Sequence, residues 1–182
     1  HLAPLEQTAL LTEYCRALDQ RAAQPILGDR WATATVDAID YDFTSLAATP
    51  SVVPLVALRA KMLDDVIRSF LSQHTDAVVV DLGAGLSSAV HRVNPGSGVD
   101  WYSVDRHAVL ALRAAVLPAH PADHPVPADL TARDWAPQMP TDRPAMVFAD
   151  GAGAAVIAAG AGELGEGGVG RVGGDQREEL AL

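Results

Sequence analysis

The sequence predicts an α/β fold: a mainly parallel sheet with helices on both faces, preceded by an N-terminal helical extension. Three observations carry this reading. The run Val78-Val79-Val80, followed by Asp81 and then Gly83-Ala84-Gly85, reads as a buried strand, a tight turn and the start of a helix. Two further stretches, Val99–Asp105 and Ala145–Asp150, are strand-like and also end in an acid. Helical runs precede and separate these strands, an order that gives parallel pairing.

Composition sets the outer limits. The 182 residues suit one sheet with a real core. The longest apolar candidate, SVVPLVAL, is broken by Pro54 and falls well short of the roughly 20 residues a membrane span needs. A formal net charge of −10 argues against a nucleic-acid partner, because phosphate binding needs clustered Lys and Arg. Cys15 is the only cysteine, which excludes a disulfide or a cysteine metal site within one chain. No signal-peptide pattern opens the sequence, so a soluble cytoplasmic protein is expected. The start at His1 rather than methionine fits an origin inside a longer reading frame.

Taken in order, Pro4 to Ala23 reads as a helix with proline in its first turn and Leu5, Ala9, Leu11, Cys15 and Leu18 on one apolar face. Pro25 closes it, and Asp29 is placed to cap a second helix running through Ile39. Asp40 to Pro54 reads as loop. A long amphipathic helix then spans Leu55 to about His74, with Leu58, Met62, Val66, Ile67, Phe70 and Leu71 expected to face the core. After the Val78–Gly85 strand and turn, Ser87 or Ser88 caps a short helix that stops at the turn NPGSG. The second strand is Val99–Asp105, and His107 to Leu117 is helical up to Pro118. A proline-rich segment holds one strand candidate, VPADL, ending at Asp129-Leu130, before the strand Ala145–Asp150. From Gly151 the chain turns Gly- and Ala-rich with little periodicity, and glycine costs about 1 kcal/mol relative to alanine inside a helix. Three regions follow: residues 1–74 as helical cap and lead-in helix, 75–150 as the α/β core, and 151–182 as an atypical tail.

The glycine turn points to a nucleotide-like ligand. Gly83 and Gly85 let a ligand approach the backbone, and the helix beyond favours negative charge. A dinucleotide fingerprint, Gly-x-Gly-x-x-Gly/Ala with an acid about 20 residues on, would use Asp105 but meets Ser88 at its third position. The alternative is S-adenosylmethionine, whose turn takes the form acid-x-Gly-x-Gly, as Asp81-Leu82-Gly83-Ala84-Gly85 does. A carboxylate at Asp81 is awkward beside a pyrophosphate but sensible near a cationic methionine moiety, so the second class is favoured. Asp105 can accept two ribose hydroxyl hydrogen bonds in either class. His120 and His124 lie in a proline-bearing loop rather than on one helical face, so no zinc pair is read there. Trp31, Trp101 and Trp135 read as packing residues.

At this point the chain resembles the leucine carboxyl methyltransferase-like family, in particular its actinobacterial, polyketide O-methyltransferase-like branch. The resemblance runs through TALLTEYCRALDQRAAQPILGDRWA, IDYDF, ALRAKMLDDVIRSFL, VVVDLGAGLSSAVHRV, VDWYSVDRHAVLALRAAVLP and PADLTARDW. It implies a class I methyltransferase (Rossmann-like) fold and methyl transfer from S-adenosyl-L-methionine to a carboxylate or hydroxyl oxygen of a small-molecule or carboxylate-bearing acceptor. By resemblance, Arg59 pairs with the methionine carboxylate, Gly83 lies against the cofactor, Asp105 binds the ribose, and Asp129-Leu130 contacts the adenine. From spacing alone, Arg59 is an ordinary helix-surface charge and Asp129 a cap for the turn at Thr131. Asp150 stands where the family usually has Glu, and it is followed by Gly-Ala-Gly instead of an apolar helix. There the resemblance stops, and the sheet is expected to be incomplete, the last thirty or so residues arising from a frameshift or truncation. An ionised carboxylate acceptor needs no general base, and no catalytic residue is assigned. The readings carried forward are an O-methyltransferase, a cofactor-binding remnant without turnover, and an NAD(P)-binding oxidoreductase.

Overall fold

The computed structural model describes residues 4–131, 140, 142–149 and 158–159. Asp150, Trp135 and most of the Gly/Ala-rich tail lie outside the described residues. Among the described residues five strands form one sheet, in the order β3-β2-β1-β4-β5. β1 (Ala77–Leu82) is central, paired in parallel with β2 (Val99–Asp105) on one side and β4 (Ala145–Phe148) on the other. β3 (Asp123–Pro127) extends the parallel sheet beyond β2. It begins and ends earlier than VPADL, which leaves Asp129-Leu130 in the loop after the strand.

Among the described strands only β5 (Ala158–Ala159) runs antiparallel, pairing with Met146 and Val147. Nine residues separate it from β4, fewer than the dozen or so a parallel crossover requires.

The helices precede or link the strands: α1 (Pro4–Gln20), α2 (Arg30–Ala38), α3 (Val52–Gln73), α4 (Ala89–Val93) and α5 (His107–Val116). Asp29 caps α2, accepting hydrogen bonds from the Trp31 and Ala32 N–H groups. α3 starts earlier than expected, with Pro54 inside its first turn, where a missing N–H costs nothing. None of the described helices is long and apolar enough to cross a membrane.

One face of the sheet packs Val79, Trp101, Met146 and Phe148 against Ile67, Leu63, Phe70 and Leu71 of α3 and Val90 of α4. The opposite face carries Val78, Val80, Val104, Val126, Ala145 and Val147, with members drawn from β1 to β4 and Ala128 and no described helix among them. A third cluster joins α1, α2 and the following loop to Leu86 and to Leu112 and Val116 of α5.

Two helix faces differ from the sequence reading. In α3 the residues turned inward are Val56, Ala57, Ala60, Asp64 and Ile67, whereas Leu58, Met62 and Val66 are exposed. Small residues bring the helix close to its neighbours, and Arg92 neutralises the buried Asp64, so packing overrides the leucine periodicity. In α1 the buried set includes Leu10, Glu13, Arg16, Ala17 and Asp19 beside Cys15. Asp19 accepts hydrogen bonds from the N–H groups of Ile26, Leu27 and Gly28, which organises the loop into α2.

Candidate active site

The turn after β1 is built by backbone conformation. Gly83 and Gly85 have φ of +68° and +54°, a left-handed region that costs an L-residue roughly 1–2 kcal/mol. Gly83 and Ala84 both donate their N–H groups to the Val104 carbonyl, at 2.8 and 3.2 Å. Gly85 N–H donates to Asp105 Oδ2 at 2.8 Å, while Asp105 Oδ1 accepts from Arg106 N–H at 2.7 Å. The end of β2 therefore fixes the turn, and the Asp105 carboxylate is held against Gly85. The expected serine cap is also shared out differently: Ser87 Oγ accepts from Ala89 N–H, and Ser88 Oγ donates to Asp29 instead.

Above this turn lies a cleft of about 440 Å³, inside the usual range for small-molecule sites. Gly83, Gly85, Asp105, Asp129 and Leu130 all line it. Leu130 overhangs the turn, its Cδ1 lying 3.8 Å from where a Gly83 Cβ would sit. Asp129 Oδ1 accepts hydrogen bonds from the Thr131 hydroxyl (2.7 Å) and N–H (2.9 Å), and these hold its carboxyl below the usual carboxylate range. The turn-capping and cleft-lining placements of Asp129 thus coexist.

The described lining does not include Arg59 or Asp81. Arg59 is half-buried on α3, and Asp81 is buried in β1 beneath the turn. Asp150 lies outside the described residues. The cleft's far wall comes from α1 through Ala9, Thr12 and Arg16. Arg16 was not singled out from the sequence. A signal existed: Glu13 falls on the buried Leu10–Ala17 stripe of α1, and a charge there demands a partner.

That partner belongs to a buried ion cluster behind the cleft. Arg16 Nη2 donates to Glu13 Oε2 at 2.6 Å, and its Nε lies 3.9 Å from Asp29 Oδ2. Asp29 also accepts from Arg92 Nη1 at 2.6 Å, and Arg92 reaches both oxygens of Asp64 at 2.8 and 3.0 Å. Burial works to raise the Asp29 carboxyl, but Arg92, Arg16 and the Ser88 hydrogen bond outweigh it and hold it low. Burial prevails at Glu13, pushing it up against the opposing pull of Arg16. Elsewhere, His124 pairs with Asp100 on the exposed edge, and His120 faces Asn94.

A central parallel sheet, a glycine turn at its carboxyl edge and an acid at the end of the neighbouring strand define an α/β protein with a nucleotide-type cofactor cleft. Residues 9–160 match the leucine carboxyl methyltransferase family, and the chain belongs to that family. It is similar to the tetracenomycin polyketide synthesis O-methyltransferase TcmP of Streptomyces glaucescens, at 37% identity over 150 residues, covering 82% of this chain and 56% of that protein. It is also similar to the S-adenosyl-L-methionine-dependent methyltransferase dpfgK of Gibberella zeae, at 32% identity over 82% of this chain and 55% of the relative. A putative S-adenosyl-L-methionine-dependent methyltransferase of Mycobacterium ulcerans matches at 32% identity, covering 79% of this chain and 48% of that protein. The chain spans about half the length of these curated relatives.

Proposed function

We propose that the cleft over the Gly83–Gly85 turn binds S-adenosyl-L-methionine and that the protein transfers its methyl group to a carboxylate or hydroxyl oxygen of a small molecule. The observation that carries this reading is the convergence of Gly83, Gly85, Asp105, Asp129 and Leu130 on one cleft. The residues fit the group chemically. Asp105 offers carboxylate oxygens to ribose hydroxyls, and Leu130 with Ala128 offers an apolar wall to the adenine. The two glycines leave room for a ligand along the backbone. Arg16, held by Glu13 and Asp29, lines the cleft on the α1 side, and Arg59 and Asp150 are proposed as further cofactor contacts. Asp81, beneath the turn, adds a negative charge that complements a cationic methionine moiety.

S-adenosylmethionine supplies an electrophilic methyl on a positively charged sulfur. The protein's part is to hold the acceptor oxygen in line with that methyl and to exclude water, a contribution of orientation rather than of covalent chemistry. A carboxylate acceptor is already ionised, whereas a hydroxyl acceptor requires a base. The name of one relative supports an oxygen acceptor, TcmP being a polyketide synthesis O-methyltransferase.

Calorimetric titration with S-adenosylhomocysteine and with NAD tests the cofactor assignment. Saturable binding of the first and none of the second is expected, and binding of NAD alone would overturn it. Cofactor binding without turnover is the second reading, favoured by β5, whose two antiparallel residues depart from the parallel order of the sheet. Transfer of a labelled methyl to a phenolic polyketide or a carboxylate acceptor would decide for the enzyme.

A further inference from the structure

A second cavity, of about 340 Å³, lies between α2, α3 and α4 and shares no lining residue with the cofactor cleft. Four cations line it: Arg30, Lys61, Arg68 and Arg92. In a chain of net charge −10 this concentration is local and opposite in sign to the whole. Arg92 is buried and committed to Asp29 and Asp64. Arg68 donates to the Arg92 carbonyl at 2.9 Å, which sets its guanidinium over the same spot.

The remaining charges are not balanced. Lys61 and Arg68 share one exposed carboxylate, Asp65, at 3.7 and 3.3 Å, and Arg68 also lies 3.7 Å from the buried Asp64; the exposed pairs are worth little and exchange easily. Arg30 has no carboxylate partner among the described residues and stacks over the Trp31 ring at 4.7 Å. Against Asp29, Asp64 and the rim carboxylate Asp65, the four cations leave an excess of one positive charge. His91 adds none at neutral pH, since burial, with His120 and Arg113 nearby, lowers its pKa.

We propose that this cavity is a binding site for an organic phosphate, distinct from the cofactor cleft. A phosphate group supplies the anion this net positive cavity lacks, and guanidinium groups bind its oxygens through paired, charge-assisted hydrogen bonds. The cavity is much larger than one phosphate group, and Leu27 with the Trp31 edge gives the organic remainder an apolar wall. Lys61, Arg68 and Arg30 hold the phosphate, while Arg92, fixed from below by Asp64 and Asp29, sets the floor.

The test is calorimetric titration of the full chain with phenyl phosphate, inorganic phosphate, sulfate and phenol, at low salt and at about 0.15 M salt, where exposed charges are screened beyond about 8 Å. Phenyl phosphate is expected to bind one equivalent, at least about tenfold tighter than phenol or sulfate, and to remain saturable at the higher salt. The double variant Lys61→Ala/Arg68→Ala changes two half-exposed side chains and should weaken that binding by at least about tenfold with an unchanged melting temperature. Arg68→Lys, which keeps the charge but loses the fork, should fall between the two. The proposal is overturned by undiminished affinity in the double variant, by equal affinity for sulfate and phenyl phosphate, or by the absence of saturable binding.

Discussion

The front and back walls of the cofactor cleft are made in opposite ways. The front is backbone: two left-handed glycines, a carbonyl accepting two N–H groups and one strand-end carboxylate facing open space. The back is side chain: Glu13, Arg16, Asp29, Arg92 and Asp64, all nearly solvent-free, drawn from three helices and the cap of a fourth. The front can bind because its groups still face the cleft. The back can position because its groups are spent on one another, and Arg16 is where the two walls meet.

The sharpest way to break this contrast is Asp29→Ala. It leaves Arg92 and Arg16 short of a buried counter-charge and removes the cap of α2, so a loss of about 3–5 kcal/mol is expected in urea unfolding. Asp105→Asn should do the reverse. Stability should fall by only about 1 kcal/mol, as one of the two backbone N–H groups loses its acceptor, while S-adenosylhomocysteine affinity falls about ten- to a hundredfold in calorimetry as the charged acceptor is lost. Gly85→Ala lies between these, with strain of about 1–2 kcal/mol from its positive φ visible as a lowered urea midpoint. Its added Cβ meets Ala9 at an ordinary 3.5 Å, so the penalty comes from the backbone and not from a clash.

The smallest effect belongs to Glu13→Gln and is read as a pH dependence. Because folding raises the Glu13 pKa, its stabilisation is present at low pH and is lost as pH rises through the folded value. Relative to wild type, Glu13→Gln should gain stability progressively as pH rises above the ordinary glutamate range in parallel urea titrations. Asp29, lowered on folding, works in the other direction: its contribution is present above the ordinary aspartate range and fades below it. Acid should therefore loosen the back wall through Asp29 even as it relieves Glu13.

The front wall was legible in the sequence because each structural demand there selects a residue type. The buried central strand asks for β-branched residues, the turn for glycine, and the strand end for an acid, all within Val78–Asp105. The back wall was not, because its pairings are long-range. Nothing in the local sequence of α3 says that Asp64 turns inward to meet Arg92, 28 residues on, while Met62 and Val66 stay outside. The same reason hid Arg16: its value lies in what Asp29 and Glu13 do around it. Apolar spacing in α3 places Ile67, Phe70 and Leu71 in the core as observed, but gives Leu58, Met62 and Val66 the inward positions that Val56, Ala57, Ala60 and Asp64 take.

The prolines of β3 have a consequence for how this sheet meets other chains. Alternate residues of that strand turn their backbone groups toward β2, as the bonds at Ala122 and Ala128 mark, so Asp123, Pro125 and Pro127 face outward. Two of these have no N–H at all, and the Asp123 N–H is already donated to the His120 carbonyl. That border offers an incoming strand acceptors but no donors, a ladder with every second rung missing, which guards it against templated stacking.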